Sequence, residues 1–137
     1  MTKPIRIVVV GATGKMGQTL IQEIVNDNEL LLSGAVDAPS CSFIGSDSGS
    51  LLGLNTGVLI SESLSEEHVE SDILIDFTRP EASLVYLDFC IAHGINYVLG
   101  TTGFNEDEKE RIYAAAKKIA ICFAPNMSVG VNLLISL

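Results

Sequence analysis

Ile5-Arg6-Ile7-Val8-Val9-Val10-Gly11-Ala12-Thr13-Gly14-Lys15-Met16-Gly17 is the stretch on which the reading of this chain turns. Its first six residues form a near-continuous β-branched run, the pattern of a central parallel strand buried on both faces. Glycines then punctuate Gly11 to Gly17. Met16, Leu20, Ile21, Ile24 and Val25 recur at helical spacing, which predicts a helix from about Gly14 to Asn26. Strand, glycine turn and helix in that order suit the pyrophosphate of a dinucleotide. Glycines permit the tight turn, close approach of backbone to phosphate, and close packing of helix on strand. The helix N-terminus adds N–H groups and the positive end of its dipole. The spacing is GxxGxxG; a strict GxGxxG would need glycines at 12, 14 and 17, and position 12 is Ala. A glycine-rich turn without a ligand is the alternative reading. The GxxxxGKS/T phosphate loop cannot be laid over these residues and is excluded.

Outward from this stretch, Leu30 to Asp37 reads as a second strand. Asp37 closes it 20 residues beyond Gly17, where a dinucleotide fold carries the acid that accepts hydrogen bonds from a ribose. A carboxylate there repels a 2′-phosphate, and Ala38 supplies no positive charge; Lys15 is the nearby cation. A surface Asp at a strand end is the alternative. Ala38 to Thr56 is a Ser- and Gly-rich connection with a short helical turn expected near Gly49 to Leu52. Val58 to Ile60 is a short strand candidate and Ser63 to Val69 is weakly helical. Ile73 to Phe77 is a further buried strand. Pro80 opens a helix that Gly94 ends after His93. Tyr97 to Leu99 is a strand. Asn105 caps a helix with Glu106, Asp107 and Glu108 in its first turn and Lys117 and Lys118 expected in its last. Ile119 to Phe123 is a strand, and an apolar helix starts at Val129. The alternation predicts an α/β, Rossmann-like doubly wound fold, with a mainly parallel sheet and helices on both faces. Residues 1–127 form the expected dinucleotide-binding domain, and 128–137 the start of a helix leading elsewhere. Because the chain stops at Leu137 within an apolar segment, a piece of a longer protein is expected.

Composition removes several classes of function. The 137 residues are 47% apolar and 18% charged, which is globular, and one domain of this size builds its own core. Seventeen acidic against eight basic residues give a net charge of −9, which argues against nucleic acid and an anionic membrane surface. Mean hydropathy is +0.40, yet no apolar run reaches the roughly 18 residues of a membrane span. The start, Met-Thr-Lys-Pro, has no signal-peptide order, so a cytoplasmic location is expected. Cys41, Cys90 and Cys122 are odd in number and form no CxxC, against a disulfide framework or zinc site. Cys90 and Cys122 lie in apolar runs and are expected to be buried and inert.

Three later strands end in unusual loops: Asp76 to Pro80, Gly100 to Gly103, and Ala124 to Asn132. In an open parallel sheet, ligands sit beyond the carboxyl ends of the strands. Gly100 and Gly103 allow close backbone approach, while Thr101 and Thr102 add hydroxyls that can bond a carboxamide or carboxylate. Pro125 and Asn126 stiffen a loop whose backbone can bond a nicotinamide amide. Ordinary turn chemistry explains any one of these loops; three at one edge favour a ligand crevice. Arg79 either binds an anion or caps its own helix. His93 is read as a C-terminal dipole partner, and His68, in a polar stretch, as solvated. No Ser-His-Asp or Cys-His grouping is apparent, which leaves a cofactor platform without a proton donor.

The motifs GATGKMG, GSDSGSLLG, DFTRPEAS, GTTGF and APNMSVGVN, in that order along the whole chain, make it resemble the N-terminal domain of the 4-hydroxy-tetrahydrodipicolinate reductase (dihydrodipicolinate reductase) family of lysine and diaminopimelate biosynthesis. The resemblance implies a homotetrameric two-domain enzyme that reduces a cyclic dicarboxylate with NADH or NADPH. It places the pyrophosphate on Gly11, Ala12, Thr13, Gly14, Lys15 and Met16, and the adenosine ribose on Asp37. Gly100, Thr101 and Thr102 then border the nicotinamide, with Thr102 also facing substrate, and Ala124, Pro125, Asn126 and Met127 line the nicotinamide site. Met127 stands where members often carry Phe, and Ala38 where many carry Arg, so Asp37 and Ala38 favour NADH. The family's catalytic histidine pair and lysine are expected beyond Leu137. This chain is therefore expected to bind cofactor without turnover, as a monomer or a weakly self-associating species. Two other readings stay open: a different nicotinamide-dependent reductase, and a non-catalytic NAD(H)-sensing module.

Overall fold

In the computed structural model, which describes residues 3–123, β1 (Ile5–Val10) occupies the middle of the sheet. The other strands are β2 (Leu30–Val36), β3 (Ile60–Ser61), β4 (Ile73–Asp76), β5 (Asn96–Leu99) and β6 (Ile121–Phe123). Their order is β3-β2-β1-β4-β5-β6, and every paired neighbour is parallel. Crossovers to either side of β1 make this the doubly wound arrangement expected from the alternation. The helices are α1 (Lys15–Val25), α2 (Pro80–His93) and α3 (Glu106–Ala115).

The period of two along β1 explains why helices lie on both faces. Ile7 and Val9 point into one core with Leu20, Ile21 and Ile24 of α1. Val8 and Val10 point into the other with Leu87 and Cys90 of α2 and Ile112 of α3. Each such buried aliphatic side chain contributes about 1.5–3 kcal/mol. No helix among the described residues is long and apolar enough to cross a membrane.

Helix ends follow local chemistry. Pro80 is the first helical residue of α2, and Gly94 ends it at φ +67°. Asn105 and Glu108 form a reciprocal capping box at α3, both bonds 2.8 Å. Lys117 and Lys118 are not in the last turn of that helix. The chain tightens after Ala115, with Lys117 N–H bonding Ala114 O (3.2 Å) and Lys118 N–H bonding Ala115 O (2.9 Å), and this tight turn brings Ile119 into the core.

Other expectations also need correction. β3 is Ile60–Ser61 rather than Val58–Ile60, because the long connection claims the residues before it. Ser48 N–H bonds Val58 O at 2.8 Å, and Leu59 bridges Asp47. Asp37 stands one residue past the end of β2. His68 is buried, not solvated: it is 2% exposed, and a Cβ on Gly34 would lie 2.5 Å from its ring. Its Nδ1 accepts the Ser65 amide at 3.1 Å. Burial holds this imidazole below its ordinary pKa, opposed by the Glu67 carboxylate. Cys122 is only half-buried.

Asp47 organises the Ser- and Gly-rich connection. Its Oδ1 accepts the amides of Gly49 (2.8 Å) and Thr56 (3.0 Å) and the Thr56 hydroxyl (3.0 Å); its Oδ2 accepts the Gly57 amide (2.9 Å). The Thr56 and Gly49 amides, partly opposed by desolvation, bring its pKa down to about 2.

Candidate functional site

Because the strands are parallel, the loops after β1, β2, β4 and β5 share one sheet edge. The glycine turn is anchored there by the amides of Gly11 (2.8 Å) and Ala12 (3.1 Å), both donating to Val36 O of β2. Its three glycines serve different ends. Gly11 adopts φ +74°, the left-handed region. Gly17 lets α1 pack on the turn: a Cβ there would lie 2.2 Å from Gly11 O. Gly14 has neither constraint. It is exposed, extended (φ −70°, ψ 168°), and a Cβ would meet only Gly11 O at 3.4 Å. No side chain caps the first turn of α1 among the described residues. Lys15 is exposed beside it and Met16 is half-buried against the α1 core.

Thr13 joins this turn to the end of β2. Asp37 Oδ2 accepts both the Thr13 amide (2.9 Å) and the Thr13 hydroxyl (2.6 Å), while Oδ1 accepts the Ala38 amide (2.8 Å). Cys41 Sγ lies 3.6 Å from the same hydroxyl. Gln18 Nε2 donates to Ala12 O at 2.6 Å, and its Oε1 is buried without a partner among the described residues.

At the next two strand ends a carboxylate and three hydroxyls are gathered beneath the loops. Asp76 is wholly buried. Its Oδ1 accepts the amide (2.8 Å) and hydroxyl (2.6 Å) of Thr78, and Thr101 Oγ1 lies at 3.4 Å. Its Oδ2 is bonded by the Tyr97 hydroxyl. Burial, then the Asp76 charge, pushes the Tyr97 pKa far up, so the phenol stays a donor. Gly100 lies under the Phe77 ring, where a Cβ would overlap it at 1.9 Å.

The two threonines of the GTTG loop face opposite ways. Thr101 is 2% exposed, whereas Thr102 is exposed. The Thr101 hydroxyl is turned inward, 2.7 Å from Ser83 Oγ, and Thr102 is open to solvent. Arg79 occupies the N-cap position of α2, is exposed, and makes no side-chain cap among the described residues. Ala124, Pro125, Asn126 and Met127 lie outside the described residues. Asp76 and Ser83 lie in one sequence motif and Tyr97 in a strand, with nothing local to join them; the Tyr97 hydroxyl, beside Val98 and Leu99 in β5, is the available signal. His93 ends α2 and lies against Phe89, ring centroids 4.5 Å apart. With 14 residues in α2, it is about 20 Å along the helix from the loop edge at Pro80.

The family model for the N-terminal part of dihydrodipicolinate reductase matches residues 5–127. The chain belongs to the dihydrodipicolinate reductase N-terminal family. The chain is 50% identical over 132 residues to 4-hydroxy-tetrahydrodipicolinate reductase of Herminiimonas arsenicoxydans, covering 96% of this chain and 49% of that protein. It is 47% identical over 133 residues to the enzyme of the same name from Nitrosomonas eutropha, covering 97% and 50%. This dihydrodipicolinate reductase family chain thus spans about half the length of the curated relatives it matches. Among solved structures, dipicolinate-bound dihydrodipicolinate reductase from Paenisporosarcina sp. TG-14 superposes with a TM-score of 0.73 at 24% identity. That match covers 96% of this chain and 51% of the other, and it shows the shared fold.

Proposed function

We propose that this chain is the cofactor-binding half of an NAD(P)H-dependent reductase that converts 4-hydroxy-tetrahydrodipicolinate to tetrahydrodipicolinate in lysine and diaminopimelate biosynthesis. The observation that carries the reading is Asp37, held against the glycine turn through Thr13 in a chain of this family. Gly11, Ala12, Thr13, Gly14, Lys15 and Met16 receive the pyrophosphate. Gly14 fits that role because nothing among the described residues demands a glycine there, while a Cβ would stand on its exposed face. The first turn of α1, without a side-chain cap, leaves its amides to the phosphates.

Asp37 accepts the adenosine ribose hydroxyls with the lone pairs that Thr13 and Ala38 leave free. Its charge disfavours a 2′-phosphate, so NADH is the preferred cofactor. Gly100, Thr101 and Thr102 border the nicotinamide, with the Thr102 hydroxyl turned toward substrate; Ala124, Pro125, Asn126 and Met127 complete that wall. When bound, the dihydronicotinamide supplies hydride. This chain's own contribution is to bind and orient, and the acid that protonates the substrate nitrogen belongs to the second half of the full-length protein. The full-length protein is a cytoplasmic homotetramer on this reading.

Paired calorimetric titration of the chain with NADH and NADPH at fixed salt tests the proposal. Tighter NADH binding supports it. Equal or tighter NADPH binding assigns the 2′-phosphate to Lys15 and removes Asp37 as the selector. Binding of neither overturns the cofactor reading for this chain.

A further inference from the structure

The loops after β4 and β5 are joined from below by one buried polar network. Asp76 closes β4 and bonds Thr78 of its own loop. Ser83, in the first turns of α2, has its Oγ 2.7 Å from Thr101 Oγ1 and 3.4 Å from Thr78 Oγ1. Tyr97 of β5 reaches both Asp76 Oδ2 and, at 3.0 Å, the Ser83 carbonyl oxygen. The Gly100 amide donates to Asp76 O at 2.7 Å. One carboxylate therefore ties the β4 loop, the start of α2 and the β5 loop into a single unit.

The network has a directional consequence. Neighbouring residues of an extended segment point opposite ways. With the Thr101 hydroxyl drawn inward to Ser83, Thr102 is turned out to solvent. Phe77 packs over Gly100, where a Cβ would overlap its ring. A buried hydroxyl left without a partner is costly, so the satisfied network selects one orientation of the loop.

We infer that Asp76, Ser83 and Tyr97 are positioning residues that act through Thr101 to set the Gly100–Gly103 segment for the nicotinamide half of the cofactor. This rests on the dinucleotide reading above. None of the three touches the ligand on this view.

The test compares NADH with ADP-ribose, which keeps the adenosine and pyrophosphate but lacks the nicotinamide ring. Calorimetry is run on the chain and on its Ser83→Ala, Thr101→Val and Thr101→Ser variants, with a thermal melt of each. Thr101→Val is expected to lower NADH affinity about tenfold and Ser83→Ala about threefold. ADP-ribose affinity is expected to stay within about twofold, and Thr101→Ser, which keeps the hydroxyl, to recover most of the NADH affinity that Thr101→Val loses. If Thr101→Val does not fold, Ser83→Ala, which removes a single oxygen, decides alone. Equal losses for both ligands, or an unchanged NADH affinity in folded Thr101→Val or Ser83→Ala, overturn the inference. So does a parent chain that binds NADH no better than ADP-ribose, an outcome that leaves the dinucleotide reading standing. A parent chain that binds neither ligand overturns the dinucleotide reading and this inference with it.

Discussion

Thr13 and Asp37 are joined twice, through the amide at 2.9 Å and the hydroxyl at 2.6 Å, across the gap between the glycine turn and the end of β2. The pair makes the glycine turn and the end of β2 one object. On the proposed reading, it also sets a carboxylate where a group carried by the adenosine ribose would meet it.

Two substitutions separate those roles. Asp37→Ser is expected to reduce discrimination between NADH and NADPH by about tenfold or more, because the repelling charge is gone. Thr13→Val is expected to weaken NADH and NADPH alike by about fivefold, since it loosens the turn and keeps the charge. Competitive calorimetry with the two cofactors reads both. A Thr13→Val variant that changed the ratio of affinities would contradict this division.

The glycines of the turn should answer differently to the same methyl group. Gly17→Ala places a Cβ 2.2 Å from Gly11 O and 2.9 Å from Ala12 backbone. Its expected cost is about 2–3 kcal/mol of stability by denaturant titration, from overpacking against backbone that cannot move away. Gly14→Ala is expected to change stability by less than about 0.5 kcal/mol, because its Cβ meets only ordinary contact. It should nevertheless reduce NADH affinity by about tenfold or more, since the methyl occupies the face offered to phosphate. Full binding by a folded Gly14→Ala chain would remove the phosphate from that face.

Acid should weaken the fold in two stages. His68 has a folded pKa below its ordinary 6.5, with burial the larger cause. The unfolded chain takes up that proton first, so stability is full above about 6.5 and falls as pH drops through the window beneath it. Asp47 has its carboxyl at about 2 against 3.8 in the free residue. Its contribution is intact above about pH 4 and is lost as pH falls toward 2. Urea midpoints between pH 8 and pH 5 are expected to decline in the parent chain and to flatten in His68→Asn. An unchanged slope in that variant would assign the loss to other groups.

The three thiols are expected to react at very different rates with a disulfide reagent at pH 8. Cys90 is wholly buried, and burial, with the Asp76 charge adding to it, pushes its pKa up to about 12. Little thiolate is present and access requires opening of the fold, so its modification should track unfolding. Cys41 and Cys122 are both half-buried and should react in the native state. Mass mapping after partial labelling distinguishes the sites, and early labelling of Cys90 would disprove the assignment.

Local and periodic features of this fold were legible in the chain. β1 as Ile5–Val10, α2 as Pro80–His93 and the Asn105 cap follow from β-branched runs, proline and glycine punctuation and a capping side chain, all of which act within a few residues. The family was legible in five ordered motifs, and the matching family model bears that out over residues 5–127. Spacing predicts Asp37 at the close of β2, and it stands one residue past that end, because strand, turn and helix have nearly fixed lengths.

What only the tertiary structure decided depends on residues far apart in sequence. Gly34 makes room for His68, so a histidine in a polar stretch is buried. The connection through Asp47 and Ser48 takes Val58 and Leu59 and moves the start of β3 along by two residues. The inward turn of Thr101 depends on Ser83 and Asp76, which α2 and β4 deliver from 18 and 25 residues away. Propensity and periodicity specify which way a strand or helix runs. Which hydroxyl is satisfied inside and which is left for a ligand is settled by packing, because a buried donor must find its partner wherever the fold has put one.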